Sequence, residues 1–425
     1  MPSPASVSGR WSSAASRSSR RGPRITVRLA WALSVLALPA QAENWTITPS
    51  IAVGETLTNN LYLTSTNRTS DLVTSITPGI SIDGRGGRTS LRLGYSITQN
   101  IYARESSENN RQQGLVAVGT LEAVEDWLFV DASATISQQY ISAFGGVAPS
   151  NANIDRNRTE TFYYSVSPYI RGRLLSSADY LLRYSVSGTN PDSQVVSNTT
   201  TSQWLGRLNG DTRWSALSWS VDASSNSANY DVGRDRNDTR YGLTLAYRFN
   251  PELQVSAIVG REKTNLVSRE DETNNDSGFG LLWTPSPRTK LDGRVTRRFF
   301  GDGYNVAFSH RMPLSALNYP GLAPEAIRAQ VNQIVQGRGV PADGSVVNGY
   351  LTNRPSLQTQ QQISYALLGV RNTLTFNASE SQQQPLGVIS GLTDDYSLAN
   401  EVTQRGYGVI WGHQLTGLSS LSLSL

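Results

Sequence analysis

Tyr241-Gly242-Leu243-Thr244-Leu245-Ala246-Tyr247-Arg248-Phe249, then Asn250-Pro251-Glu252, then Leu253-Gln254-Val255-Ser256-Ala257-Ile258-Val259, decides the fold of this chain. Large apolar side chains occupy every second position, and Arg240, Gly242, Thr244, Ala246, Arg248, Gln254 and Ser256 fill the other phase. Successive strand residues point to opposite faces, so the stretch reads as a hairpin with one greasy face and one small or polar face. The same grammar recurs from Trp45 almost to Leu425. Many two-faced strands with weakly hydrophobic interiors do not suit a water-soluble sandwich. They suit a membrane barrel, with lipid outside and water or polar side chains inside.

Working outward in both directions, paired strands are separated by two kinds of connection. Ile76, Pro78, Ile80 and Ile82 run into Asp83-Gly84-Arg85-Gly86-Gly87 and return through Leu91, Leu93, Tyr95, Ile97 and Ile101. Further tight turns fall at Glu125-Asp126, Ser176-Ser177, Asp211-Thr212 and Ser286-Pro287-Arg288-Thr289. Longer segments rich in Asn, Ser, Asp and Gly lie between them, at about 104–113, 139–159, 189–200, 225–237 and 263–276. Short turns alternating with long loops describe a transmembrane antiparallel up-and-down β-barrel, all-β, whose tight turns face the periplasm. The count of candidates is about eighteen, and the expected range is 16–20 strands. The last candidate stops in mid-alternation at Leu425, which reads as a truncated barrel. Prolines recur inside the pattern in Thr48-Pro49, Thr77-Pro78 and Ser167-Pro168. Proline in a sheet belongs at edges or bulges, so bulges near strand ends are expected there.

Residues 313–356 break the alternation. Pro324 opens a segment in which Ile327, Val331, Ile334 and Val335 recur at helical spacing before Gly337, the pattern of a short amphipathic helix. Counting hairpins places this insertion on the short-turn side, as a plug helix, a docking element or a decorated loop. The alternation of turns then slips by one beyond it.

The first 42 residues read as a signal peptide. Six arginines precede the apolar run Leu29–Leu38, and Ala40-Gln41-Ala42 predicts cleavage before Glu43. Ser19-Arg20-Arg21 raises a twin-arginine reading, which Gly22-Pro23 opposes, and the short apolar core opposes an uncleaved anchor. The barrel is therefore expected to occupy residues 43–425. Without the leader the chain carries 31 basic and 33 acidic residues, so its net charge changes from +4 to −2. That balance gives no basis for nucleic-acid binding. The chain has no cysteine, which excludes disulfides and thiolate metal sites.

Chemistry is sparse. His310 and His413 sit in phase with lipid-facing residues, where an interfacial place is expected rather than a catalytic one. Glu270-Asp271-Glu272 and Asp235-Arg236-Asn237-Asp238 are expected in solvated loops; oxygen ligands for a divalent cation are the alternative. No catalytic set, cofactor site or metal site is assembled from these residues. Trp45, Trp127, Tyr180, Trp204, Trp214, Trp283 and Trp411 fall near predicted strand ends and are expected to form two girdles. In the inward phase, Arg92, Arg171, Arg183, Arg248, Arg294 and Arg298 are the expected lumen-lining residues. Their guanidinium forks suit carboxylates, phosphates and sugar hydroxyls, with ordinary salt bridges inside the lumen as the alternative.

Trp283-Thr284-Pro285-Ser286-Pro287-Arg288-Thr289, Arg297-Arg298-Phe299-Phe300-Gly301, Phe308-Ser309-His310-Arg311 and Arg371-Asn372-Thr373-Leu374-Thr375-Phe376 carry a family resemblance. The chain resembles the PEP-CTERM-system-associated outer-membrane barrel family. That resemblance implies association with exopolysaccharide loci in Gram-negative bacteria, in a family with no established biochemical activity. The chain has no Pro-Glu-Pro sorting tail, so the resemblance implies an associated component and not a sorted substrate. The expected reading is a non-enzymatic, porin-like barrel set in outer-membrane lipid and lipopolysaccharide, serving an exopolysaccharide cargo or a periplasmic export partner. The alternative is a structural or adhesion barrel that presents long loops. An outer-membrane enzyme ranks third.

Overall fold

The computed structural model describes residues 44–386 and 401–425, apart from 143, 147, 149, 175–176, 194–195, 269, 313, 320–355 and 417–418. The expected leader lies outside the described residues, as do Ile327, Val331, Ile334 and Val335 of the expected helix.

The alternating pattern becomes one antiparallel sheet of nineteen described strands. In chain order they are β1 Asn44–Thr58, β2 Asp71–Arg85, β3 Thr89–Tyr102, β4 Asn110–Val124, β5 Leu128–Tyr140 and β6 Arg158–Leu174. Then come β7 Ala178–Pro191, β8 Thr199–Asp211, β9 Leu217–Tyr230, β10 Arg236–Asn250, β11 Leu253–Thr264, β12 Glu272–Ser286 and β13 Thr289–Arg298. The series ends with β14 Gly301–Met312, β15 Ser315–Tyr319, β16 Ser356–Leu368, β17 Asn372–Pro385, β18 Val402–Gln414 and β19 Ser420–Ser424. Each strand pairs with its sequence neighbour, so the topology is up-and-down throughout. Eighteen antiparallel steps leave β1 and β19 running in the same sense, and no pairing joins them among the described residues. The fold is a transmembrane antiparallel β-barrel wall.

The register shows which face is which. The row Trp219, Leu245, Ala257, Phe279, Val295 and Tyr304 crosses six strands on one face. Large apolar side chains on it are exposed, among them Leu245, Phe279 and Val295. No soluble core takes them up, so this is the face a bilayer would cover. Polar side chains fill the opposite face and reach one another across a strand in between. Arg240 of β10 meets Asp276 of β12 at 2.6 Å, and Arg298 of β13 meets Glu262 of β11. Strands two apart lie about 9.6 Å from each other, and such reach is natural where side chains converge. The polar face is therefore the concave one.

Connections alternate as the tight-turn reading requires. One end carries 86–88, 125–127, 175–177, 212–216, 251–252, 287–288, 313–314, 369–371 and 415–419. The other carries 59–70, 103–109, 141–157, 192–198, 231–235, 265–271 and 299–300, together with the ends of β15 and β17 and the starts of β16 and β18. The shortest described connection at that end is 299–300, followed by Gly301 at φ +107°, the region that favours glycine.

Two expectations are corrected. Ser315–Tyr319, inside the expected 313–356 insertion, is strand β15, paired to both β14 and β16. This five-residue strand and its tight turn at 313–314 are too short to read as a hairpin from sequence. Restoring that turn sets the end of β15 and the start of β16 at the long-loop end and removes the slip in alternation. The prolines are the second correction. Pro49, Pro78 and Pro168 sit well inside their strands, and the register runs on across each without a shift. The ladders instead lose a pair of contacts, at 77–78 toward β3 and at 167–168 toward β7. Side chains close both gaps: Thr77 and Thr98 hydroxyls meet at 2.9 Å, and the Ser167 hydroxyl donates to Ser185 at 2.8 Å. The hydroxyl before each of these prolines stands in for the missing backbone donor. Register shifts do occur, at Glu122/Val124, Arg248/Asn250 and Trp283/Ser286, all at the tight-turn end.

Candidate functional site: the concave face

Five of the expected arginines can be followed into specific surroundings. Arg92 pairs directly across the β2–β3 ladder with Asp83, at 3.1 Å, on a well-exposed stretch of wall. Arg183 meets Asp131 at 3.0 Å and lies 4.1 Å from the centroid of the Tyr169 ring. Arg171 lies 4.3 Å from the centroid of the Phe129 ring, and Phe129 stacks on Tyr169 with centroids 5.2 Å apart. Arg298 holds Glu262, with its Nε 3.0 Å from Oε2, and stands over Phe300. Arg248 lies opposite Gln254 at the tight-turn end of β10. The sixth, Arg294, lies opposite Gly280 and Asn305 in mid-wall. By register all six share the polar phase. The structure does not gather them into one site; it spreads them from β3 to β13.

Sequence reading missed their partners. Arg173–Asp179 at 3.0 Å, Arg207–Asp222 at 2.6 Å and Arg240–Asp276 line the same face. The inward phase contains Asp131, Asp179, Asp222, Glu262 and Asp276, and an equal search for acids in that phase would have found them.

The densest cluster lies toward the long-loop end of β10–β13. Glu262 is completely buried and Asp276 nearly so. Asp238, expected in a loop, belongs to β10 and lies against Glu262 on the wall. The strands run further into the polar segments than hydropathy shows, because backbone pairing there does not need an apolar face. A cavity of about 420 Å³ opens beside the cluster and is bordered by Tyr230, Arg236, Phe299, Phe300 and Leu357. A second cavity, about 590 Å³, sits at the tight-turn end, between Arg173, Asp179, Asn209, Ser220, Thr244 and Gln254.

The long loops near β1–β6 are fastened to one another. Leu61, Val73, Tyr102 and Ala152 form a buried apolar cluster, and the Tyr102 hydroxyl donates to the Ala152 carbonyl at 2.9 Å. The Ile154 amide donates to Leu61 O at 3.0 Å, and Asn153 Nδ2 donates to Asn60 O at 3.2 Å. Asp71 accepts backbone N–H bonds from Leu72, Arg104 and Glu105. In the first of these loops, Tyr62 donates to Glu105 and Glu108; desolvation, then those two carboxylates, raise its hydroxyl pKa above the ordinary value. Beyond β17, side-chain hydrogen bonds from Gln382, Gln384 and Thr403 hold Glu401 below the usual carboxylate range.

The expectation of two tryptophan girdles is corrected to one. Trp45, Trp127, Tyr180, Trp214, Trp283 and Trp411 all lie at the tight-turn end, with Trp127 Nε1 donating to Tyr180 at 3.0 Å. Trp204 lies in mid-strand, 4.5 Å from Tyr184 between ring centroids. Toward the long-loop end the exposed outer rings include Phe162, Tyr241, Tyr304 and Tyr407. Both histidines take neutral partners on the outer face: His310 Nδ1 is 2.9 Å from Thr289 Oγ1, and His413 Nδ1 is 2.8 Å from Asn372 Oδ1.

No protein-family model and no curated protein matches the chain. Among solved structures it is similar to the FrpB iron transporter from Neisseria meningitidis, F3-3 variant, at 11% identity and a TM-score of 0.49, covering 89% of this chain and 68% of that one. It is similar to the siderophore receptor PirA from Pseudomonas aeruginosa at 10% identity and a TM-score of 0.42, over 91% and 76% of the two chains. OccK2 (OpdF) of Pseudomonas aeruginosa, solved in complex with glucuronate, is similar at 11% identity and a TM-score of 0.30, over 90% of each chain.

Proposed function

We propose that this chain is a non-enzymatic, porin-like barrel of a Gram-negative outer membrane that passes, or helps export, a polymer, an exopolysaccharide above all. The observation that carries the reading is the concave wall, where paired arginines and carboxylates stand among serines, threonines and asparagines. Such a wall wets a lumen and offers hydrogen bonds to hydroxyl-rich cargo without any one strong site to trap it. The outward apolar face and the single tryptophan ring fit a chain set in lipid and lipopolysaccharide. The polysaccharide itself rests on the family resemblance of the Trp283–Arg311 region.

One observation favours a second reading. The loops after β1, β3 and β5 are pinned together around Tyr102. A rigid loop cluster suits a structural or adhesive barrel that presents a surface. Single-channel conductance in planar bilayers separates the two, measured on the full chain and on a variant lacking residues 322–340. Steady conductance of the full chain is the expected result. A silent full chain that conducts after the deletion assigns the segment a plugging role. Silence in both forms removes the passage reading in favour of the scaffold.

A further inference from the structure

We infer that the tight-turn mouth of the barrel, centred on Arg171, is a binding subsite for a carboxylate-bearing saccharide unit. The inference rests on reading the concave face as a water-filled interior. Four planar groups are stacked there in the order Arg171, Phe129, Tyr169, Arg183. Phe129, Tyr169 and Arg183 are direct cross-strand neighbours on β5, β6 and β7, so the ladder fixes the stack. Arg183 is neutralised by Asp131, and Arg173, two residues beyond Arg171 on the same face, is neutralised by Asp179. Arg171 has no carboxylate partner among the described residues. Its guanidinium lies over the ring of Phe129, an arrangement that occupies the face of the plane and leaves the in-plane N–H fork free. A flat, exposed, unpaired guanidinium held in one orientation is a pre-organised receptor for the two oxygens of a carboxylate.

The neighbouring chemistry selects what carries that carboxylate. Arg173 borders the cavity of about 590 Å³, whose wall includes Asn209, Ser220, Thr244 and Gln254. Hydroxyl and amide groups that can both donate and accept suit a ligand made of hydroxyls. An acid group at Arg171 with a polyhydroxyl body beside it describes a uronate-type unit more closely than a small bare anion.

Equilibrium binding to the detergent-folded barrel tests this without requiring conduction. A short polyuronate oligosaccharide is compared with a neutral oligosaccharide of the same length and with inorganic phosphate. The acidic saccharide is expected to bind roughly tenfold tighter than either, the factor that about 1.4 kcal/mol provides. Arg171→Gln should abolish the preference, and Arg171→Lys, which keeps the charge without the planar fork, should retain part of it. Equal affinity for acidic and neutral saccharides overturns the inference. So does a preference that survives Arg171→Gln, or phosphate binding as tightly as the polyuronate. The two readings fail separately: binding without conductance removes passage, and conductance without acidic preference removes the subsite.

Discussion

Leu245 and Thr244 are adjacent in β10 and lie on opposite faces, which makes them a sensitive pair for testing the wall. Leu245 is flanked by Trp219 and Ala257 in the outward row, and Thr244 by Ser220 and Ile258 in the inward one. Leu245 lies five residues before Asn250, where the strand ends. At ~3.4 Å per residue and a tilt of ~40°, five residues carry the chain about 13 Å along the membrane normal, half of a ~25 Å apolar band. Leu245 is thus near the midplane, where Leu245→Arg should cost ~2–4 kcal/mol. Thr244→Arg places its side chain against the cavity of about 590 Å³, with room and water for the new charge. Its cost should stay at about 0.5 kcal/mol or less. Denaturant titration of both variants refolded into lipid vesicles measures the two values. Equal costs, or a larger cost at Thr244, would refute the assignment of faces and with it the barrel reading of the wall.

Two further expectations concern the buried polar groups. Arg298→Ala leaves Glu262, which is fully buried, without its counter-ion and beside Asp238, at a cost of ~3–5 kcal/mol. Replacing both partners, as Arg298→Met with Glu262→Leu, should recover most of that loss in the same titration; a double variant as unstable as Arg298→Ala would contradict the pairing. Tyr102→Phe removes the hydroxyl that donates to the Ala152 carbonyl and accepts from Asn110, a local loss of ~1–3 kcal/mol. It should appear as faster hydrogen exchange and proteolysis in 141–157 with the barrel melting unchanged, and unaltered loop protection would count against the pinned cluster.

The hairpin grammar was legible because it is local. A period of two needs only neighbours in sequence, and Tyr241–Val259 displays it without help from the rest of the chain. The tight turns around 83–87, 125–126 and 286–289 announced themselves through glycine, proline and short polar residues, and the polar phase that holds Arg92 to Arg298 followed from the same alternation. Sequence alone also determined the arginine-rich composition of the first 42 residues, the absence of cysteine, and the near-balance of charge after residue 42.

What the tertiary structure decided is non-local. Ser315–Tyr319 is too short to show a period, and only its pairing with β14 and β16 makes it a strand and restores the alternation of turns. Pro78 and Pro168 look like breaks until the register brings Thr98 and Ser185 opposite the hydroxyls that precede them. The pairing of Arg298 with Glu262 across 36 residues, the gathering of six aromatic residues at one end, and the stack that leaves Arg171 unpaired depend on curvature and stagger. Those follow from how each strand sits against its neighbour, a property that alternation within one strand does not contain.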